Sequence, residues 1–206
     1  MIRLLLSFGL FLLLATAALA DTKDMAPILL KPSDVLRGHF TEERHLKGLS
    51  APLISAGHFV VAPQQGLIWA LDKPFQTTTV MTPQGLVQLI NNDQVTYLPS
   101  QKMPFMRHLY DTLGGSLTGD WQALTADFTM TQKTDTLGWQ VTLIPRTPDN
   151  PAMPFSLITI RGRSFVDHVV MTKPDGDTDV IDFSHETLTT AAPTTAESRL
   201  LSSVHP

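Results

Sequence analysis

Between Phe40 and Phe183 the chain runs in short segments of apolar and β-branched residues, punctuated by Gly, Pro, Asn and Asp. The spacing predicts strands over 39–47, 53–62, 66–72, 76–82, 85–91 and 94–98, then over 126–133, 137–145, 155–161, 164–173 and 178–185. Asn91-Asn92-Asp93 reads as a tight turn between two of them. One hairpin departs from ordinary alternation. In "SAGHFVVAPQQGLIWALDKP", residues 55–74, Leu67, Trp69 and Leu71 point to one face while Ile68 and Ala70 point to the other. Both faces are apolar, whereas an antiparallel hairpin usually keeps one face wet. Each face of this hairpin therefore needs something to cover it.

The two-residue period breaks in three places. Residues 22–36 carry a short apolar patch interrupted by Pro27 and Pro32, which predicts a short helix or helical turns. In "PFMRHLYDTLGGSLTGDWQAL", residues 104–124, Phe105, Met106, Leu109 and Leu113 fall at helical spacing. Gly114-Gly115 ends that helix, and a further helical turn starts at Asp120 with Trp121 and Leu124 inward. From 189 to 206 the chain is rich in Thr, Ala, Ser and Pro without a period, and a frayed, flexible tail is expected. The pattern as a whole predicts a mainly β (α+β) fold: one large, curved antiparallel sheet of about eleven strands, its concave side covered by short α-helices.

Composition narrows the setting. Arg3, the uncharged 15-residue run Leu4 to Ala18 and the closing Ala18-Leu19-Ala20 have the layout of a cleaved secretory signal. The run is shorter than the ~20 residues of a spanning helix. A signal peptide over 1–20, a domain over 21–188 and a tail over 189–206 are expected, in a protein exported to the periplasm. Without Arg3 the chain carries 14 basic and 19 acidic residues and no basic cluster, which argues against nucleic acid and against adsorption to anionic lipid heads. There is no cysteine, so neither disulfides nor lipid attachment through a thiol are available, and no stable membrane anchor is expected in the exported protein.

Candidate chemistry is sparse. "DGDTDVIDFSHE", residues 175–186, spaces its acids like a calcium loop but has Val180 where the sharp turn needs glycine, and reads as an acidic hairpin turn entering a strand. The seven histidines form no metal-ligand spacing. "GGSLTG" around Ser116 lacks the second glycine of a nucleophile elbow and follows a helix rather than a strand. Glu42 and Glu43 are adjacent on an extended segment and face opposite ways. No catalytic residue, metal or cofactor is expected, and the chain reads as a non-enzyme.

With those features in hand, "GHF" at 38–40, "LISAGHFVVAPQQGLIWALDKP" at 53–74 and "TPQGLVQLINNDQVTYL" at 82–98 resemble the LolA family of periplasmic outer-membrane lipoprotein carriers. The matching frame is Gly57-x-Phe59, Pro63, Trp69, Pro74, Gly85 and Asn92-Asp93, continued by "GDWQAL" at 119–124 and "GDTDVIDF". The resemblance implies an unclosed β-barrel with a hydrophobic hollow beneath a helical lid. It places Phe59, Leu67, Trp69, Leu89, Phe105, Met106, Leu109 and Trp139 around that hollow. It also implies a monomeric carrier of acylated lipoprotein or lipid, loaded by an inner-membrane ABC transporter and unloaded at an outer-membrane receptor. Two positions depart from the family pattern. Ala62 stands where an arginine tethers the lid, and Phe40-Thr41-Glu42 where Phe-x-Gln is usual. The alternative is a non-transporting lipid or lipoprotein sensor, or an accessory of a lipid or polyene-pigment assembly pathway.

Overall fold

The computed structural model describes residues 27–90, 93–99, 122–148 and 153–204. They form one antiparallel sheet of eleven strands: β1 (Val35–His45), β2 (Leu53–Ala62), β3 (Gly66–Lys73), β4 (Thr77–Thr82), β5 (Gly85–Ile90) and β6 (Asp93–Pro99), then β7 (Phe128–Asp135), β8 (Gly138–Pro145), β9 (Leu157–Gly162), β10 (Val166–Thr172) and β11 (Thr178–Thr189). The spatial order is β6-β5-β4-β3-β2-β1-β11-β10-β9-β8-β7. Two hairpin meanders are thus joined where the first strand pairs with the last, from Val35 opposite Thr189 to His45 opposite Thr178. β6 and β7 are the outer edges, so the sheet is unclosed. Every strand expected from the sequence is present. Ile90 lies opposite Asp93, and the expected turn residues between them, 91–92, lie outside the described residues.

The sheet separates two apolar layers. The larger lies on the inner face and draws on both meanders: Leu36, Phe40, Phe59, Val61, Leu67, Met81 and Leu86 from one, Phe128, Trp139, Val141, Leu143, Ile158, Ile160, Val169, Ile181 and Phe183 from the other. Right-handed twist and curling of a sheet this wide bring parts of its inner face together and add to the burial. One device for this sits in the central pair. Gly38 of β1 is opposed by two residues of β11, His185 and Glu186, and His185 takes φ +57°. Such a bulge increases local twist and bends the strand.

The smaller layer lies on the outer face of β1–β5 and contains Val35, Val60, Ala62, Ile68, Val80 and Val87. Its cover corrects the expectation for the C-terminus. Instead of a frayed tail, residues Thr195–Leu201 form helix α1, and Leu201 and Val204 are buried against this layer. The helix begins in a capping box: the Thr194 hydroxyl accepts from the Glu197 amide, and the Glu197 carboxylate accepts from the Thr194 amide. The Arg37 guanidinium donates twice to the same carboxylate, Nε and Nη2 each at 2.7 Å. Threonine- and serine-rich composition hid a seven-residue helix whose stability is tertiary and capping in origin rather than a matter of propensity. The other half of the sheet needs no such cover, because β8 and β9 turn Gln140, Thr142, Thr159 and Arg161 outward.

One further expectation changes. Residues 27–34 hold no helix; they run irregularly to a turn at Pro32-Ser33, fastened by the Lys31 amide donating to the Asp34 carboxylate, and β1 starts at Val35. The described α-helix covers the outer rather than the concave face. On the inner side the cover among the described residues is Leu30, Met153 and Phe155 from irregular segments and Leu124 from a short 3₁₀ helix, Gln122–Ala126. The expected signal peptide, the helix over 104–114 and Trp121 lie outside the described residues.

Arg37 pulls the Glu197 carboxyl down to about 2, against an ordinary 4.5. A depressed carboxyl stabilises the fold above its unfolded value, and that contribution is lost as pH falls from about 4.5 towards 2. Thermal melts of the wild type should therefore drop through this window by an amount on the order of 2 kcal/mol of stability, and Glu197→Gln should start lower at pH 7 and show a flatter acid limb.

Candidate ligand-binding face

The centre of the inner face is an aromatic cluster on four adjacent strands. Trp69 of β3 stacks on Phe40 of β1, ring centroids 3.7 Å apart with planes at 22°. Phe59 of β2 lies 6.4 Å from Trp69 at 25°, and Phe183 of β11 meets Phe59 and Trp69 edge-on at 5.4 and 6.0 Å. Offset-stacked and edge-to-face contacts are the favoured arrangements of aromatic rings. Register makes room for them. Gly57 lies opposite Phe40 and Gly38 opposite Phe59. A Cβ on Gly38 would come within 2.6 Å of the Phe59 ring, so that ring lies across the glycine.

Phe59 and Leu67 therefore lie in one layer, with Trp69 half-buried against it. Trp139 shares the face but belongs to the other meander. It is buried with its ring over Gly162, and its indole N–H donates to the Arg163 carbonyl. Leu89 does not join them: it packs on the outer layer beneath the C-terminal segment, alongside Val87 and Tyr97. Alternation along β5 puts Leu86 inward and Val87 outward, and the β5–β6 register shifts between Gln88 and Leu89. Phe105, Met106 and Leu109 lie outside the described residues. Phe40 and Phe183 are the members that local reading passed over, because their proximity depends on pairing strands about 140 positions apart, a relation no local period encodes.

Towards the end of the sheet at the 46–52 and 173–177 connections, the same face becomes ionic. Arg44 donates to Asp179 and to Glu42, each at 3.0 Å; Lys173 lies 3.0 Å from Asp179; and the Ser55 hydroxyl donates to Glu42. Burial pulls the Arg44 guanidinium down, but the Glu42 and Asp179 carboxylates outweigh it and leave it raised. This end of the sheet also exposes Leu49, Phe75 and, at the start of β2, Leu53 and Ile54. The acidic run 175–186 is a turn and strand: the Asp177 carboxylate accepts from the Lys47 amide, and β11 starts at Thr178. Among the described residues no group of three or more His, Asp or Glu is placed to hold a metal, and no helix is long and apolar enough to cross a membrane. A cleft of about 400 Å³ at the β7–β8 turn is lined by Lys133, Asp135, Gln140, Arg161 and Asp167 beside Leu137 and Trp139.

The class these features define is an unclosed antiparallel sheet around an aromatic-centred apolar face. The family model described as "Outer membrane lipoprotein carrier protein LolA-like" matches residues 15–201, and the chain belongs to that family. LolA-like proteins are binding and carrier proteins of extracytoplasmic compartments, and membership points to lipid or lipoprotein binding. No curated protein matches the sequence. Similar solved structures include the LolA superfamily protein NE2245 from Nitrosomonas europaea, at 12% identity over 84% of this chain and 92% of that one, TM-score 0.44. The MucA/MucB complex of Pseudomonas aeruginosa aligns at 13% over 82% of this chain, TM-score 0.47, and there the chain spans 56% of the matched protein. LprF from Mycobacterium bovis aligns at 15% over 78% and 88%, TM-score 0.36.

The two inner tryptophans should separate by role. Trp139→Ala should cost about 3–5 kcal/mol in guanidinium unfolding, the range for emptying a packed aromatic site. Trp69→Leu, at a half-buried position, should cost about 1–2 kcal/mol and leave the unfolding transition cooperative.

Proposed function

We propose that this protein is a periplasmic carrier that shelters the acyl chains of lipoproteins, or of a related lipid, against the inner face and moves them from the inner to the outer membrane. What supports the reading is an aromatic-centred apolar face in a sheet whose edges do not meet, in a chain of the LolA-like family. Residues 21–188 carry the ligand, residues 1–20 direct export, and the C-terminal helix supports the carrying sheet from behind. The donor is an inner-membrane ABC transporter, the acceptor an outer-membrane receptor, and the carrier works as a monomer without a cofactor.

The energetics explain the need. An acyl chain of about fifteen methylenes costs on the order of 12 kcal/mol to expose to water, at ~0.8 kcal/mol per CH₂. Unassisted crossing of an aqueous gap is negligible at that cost. A carrier must nearly match the cost without exceeding it, or release would fail. An unclosed sheet suits this because its edges can separate without breaking a ladder, so exposure of the hollow can vary while the pairing between β1 and β11 stays intact.

The decisive experiment is transfer of a fluorescent diacylated lipopeptide between two vesicle populations. Catalytic amounts of the protein should accelerate transfer well above the spontaneous rate. Trp69→Asp should lower it at least about tenfold, since a carboxylate among the rings must be desolvated, while circular dichroism stays that of the wild type. Binding without net delivery would identify a sensor or accessory protein, and absence of binding would end the carrier reading.

A further inference from the structure

The inner face changes character along its strands. On β1, inward positions read Leu36, Gly38, Phe40, Glu42, Arg44; on β11 they read Phe183, Ile181, Asp179; on β10 Met171 is followed two positions on by Lys173. At ~3.3 Å per residue, Glu42 sits about 7 Å beyond the Phe40 ring position and Asp179 about 13 Å beyond Phe183. The apolar stretch from Glu42 back to Leu36 spans six residues, about 20 Å, the reach of a long saturated chain.

Four charged groups meet at the polar end, two of each sign. Asp179 is buried at 5% exposure and takes both cations; Arg44 keeps about half of its side chain exposed and Lys173 a quarter. Among the described residues the Arg44 Nη1 takes no partner, and the Lys173 ammonium bonds only Asp179. Bare anions would have to approach Glu42 and Asp179, and bare cations would meet Arg44 and Lys173. Only a head carrying both charges on adjacent groups finds a complement for each.

We infer that this cluster is a headgroup subsite, and that the ligand is a zwitterionic amphiphile of the phosphoethanolamine type. This deepens the carrier reading and rests on it. The phosphate meets the Arg44 guanidinium and the Lys173 ammonium, and the ligand's ammonium meets the Glu42 carboxylate. Arg44 Nε and Nη2 already serve Asp179 and Glu42, so its Nη1 donors are what it offers the phosphate, as charge-assisted hydrogen bonds. The acyl tail runs from there over Phe40, Trp69 and Phe183 towards Leu36 and Val61, which fixes the ligand's direction: head towards the 46–52 and 173–177 connections, tail away from them.

The test compares two probes of one chain length, each below its micelle-forming concentration, by calorimetry on the full exported protein: a lysophospholipid with a phosphoethanolamine head and the matched monoacylglycerol. The wild type should bind the zwitterion about tenfold more tightly, the worth of one charge-assisted hydrogen bond. Glu42→Gln and Lys173→Met, checked for unchanged melting, should each erase most of that preference while leaving monoacylglycerol affinity unaltered. Should a variant fail to fold, the wild type alone still decides, because added salt must shrink the preference. Equal affinity for both probes, or variants that weaken both probes alike, would overturn the subsite. If monoacylglycerol itself does not bind, the carrier reading fails and the subsite falls with it.

Discussion

The pairing of β1 with β11 is the constraint on which the rest depends. Each meander alone is a run of hairpins with one large apolar face, and neither could bury that face by itself. Joining Val35–His45 to Thr178–Thr189 sets the two faces side by side and brings Phe40 against Phe183 across the seam. The bulge at Gly38 and His185 lies within this seam, so the place where the sheet is sealed is also a place where it bends. Closing so long a span is entropically costly and makes no local contact in advance. The long ladder on β1, paired on both sides, offsets that cost.

From this seam follows a division of labour between the two surfaces of one hairpin. The outer side of β2 and β3 is ordinary core, closed by α1 and anchored by the Arg37–Glu197 pair at its rim. The inner side is centred on rings rather than on branched aliphatics. Rings present broad apolar area at small rotamer cost, so a flexible hydrocarbon can slide over them without demanding one geometry. Under the proposed function such a surface serves reversible binding better than a fitted socket, and the ionic end adds direction to it.

Much of this was legible locally. Turn residues and period-two runs located all eleven strands, and the doubly apolar hairpin at 55–74 announced that both of its faces would be covered. Alternation set Leu67 and Trp69 on one shared face, and the family resemblance made that face the inner one. Leu89 lies two residues from outward-facing Val87 and so faces outward by the same alternation; the resemblance, not the period, placed it around the hollow. The C-terminal helix was missed for a related reason: its sequence is weakly helical, and its order comes from Thr194, Glu197, Arg37 and the apolar layer it lands on.

By itself, then, the linear chain determined the strand inventory, the absence of cysteine chemistry and the apolar character of the central hairpin, since these rest on near-neighbour spacing and side-chain type. Which residues meet was decided only in three dimensions. Phe40 opposite Phe183, Arg44 with Asp179, and Arg37 with Glu197 are each more than a hundred positions apart, and their meeting is a product of register across β1 and β11 and of the docking of α1. Local patterns carry the direction of a side chain, but a binding surface is made of neighbours, and sheet pairing alone chooses those.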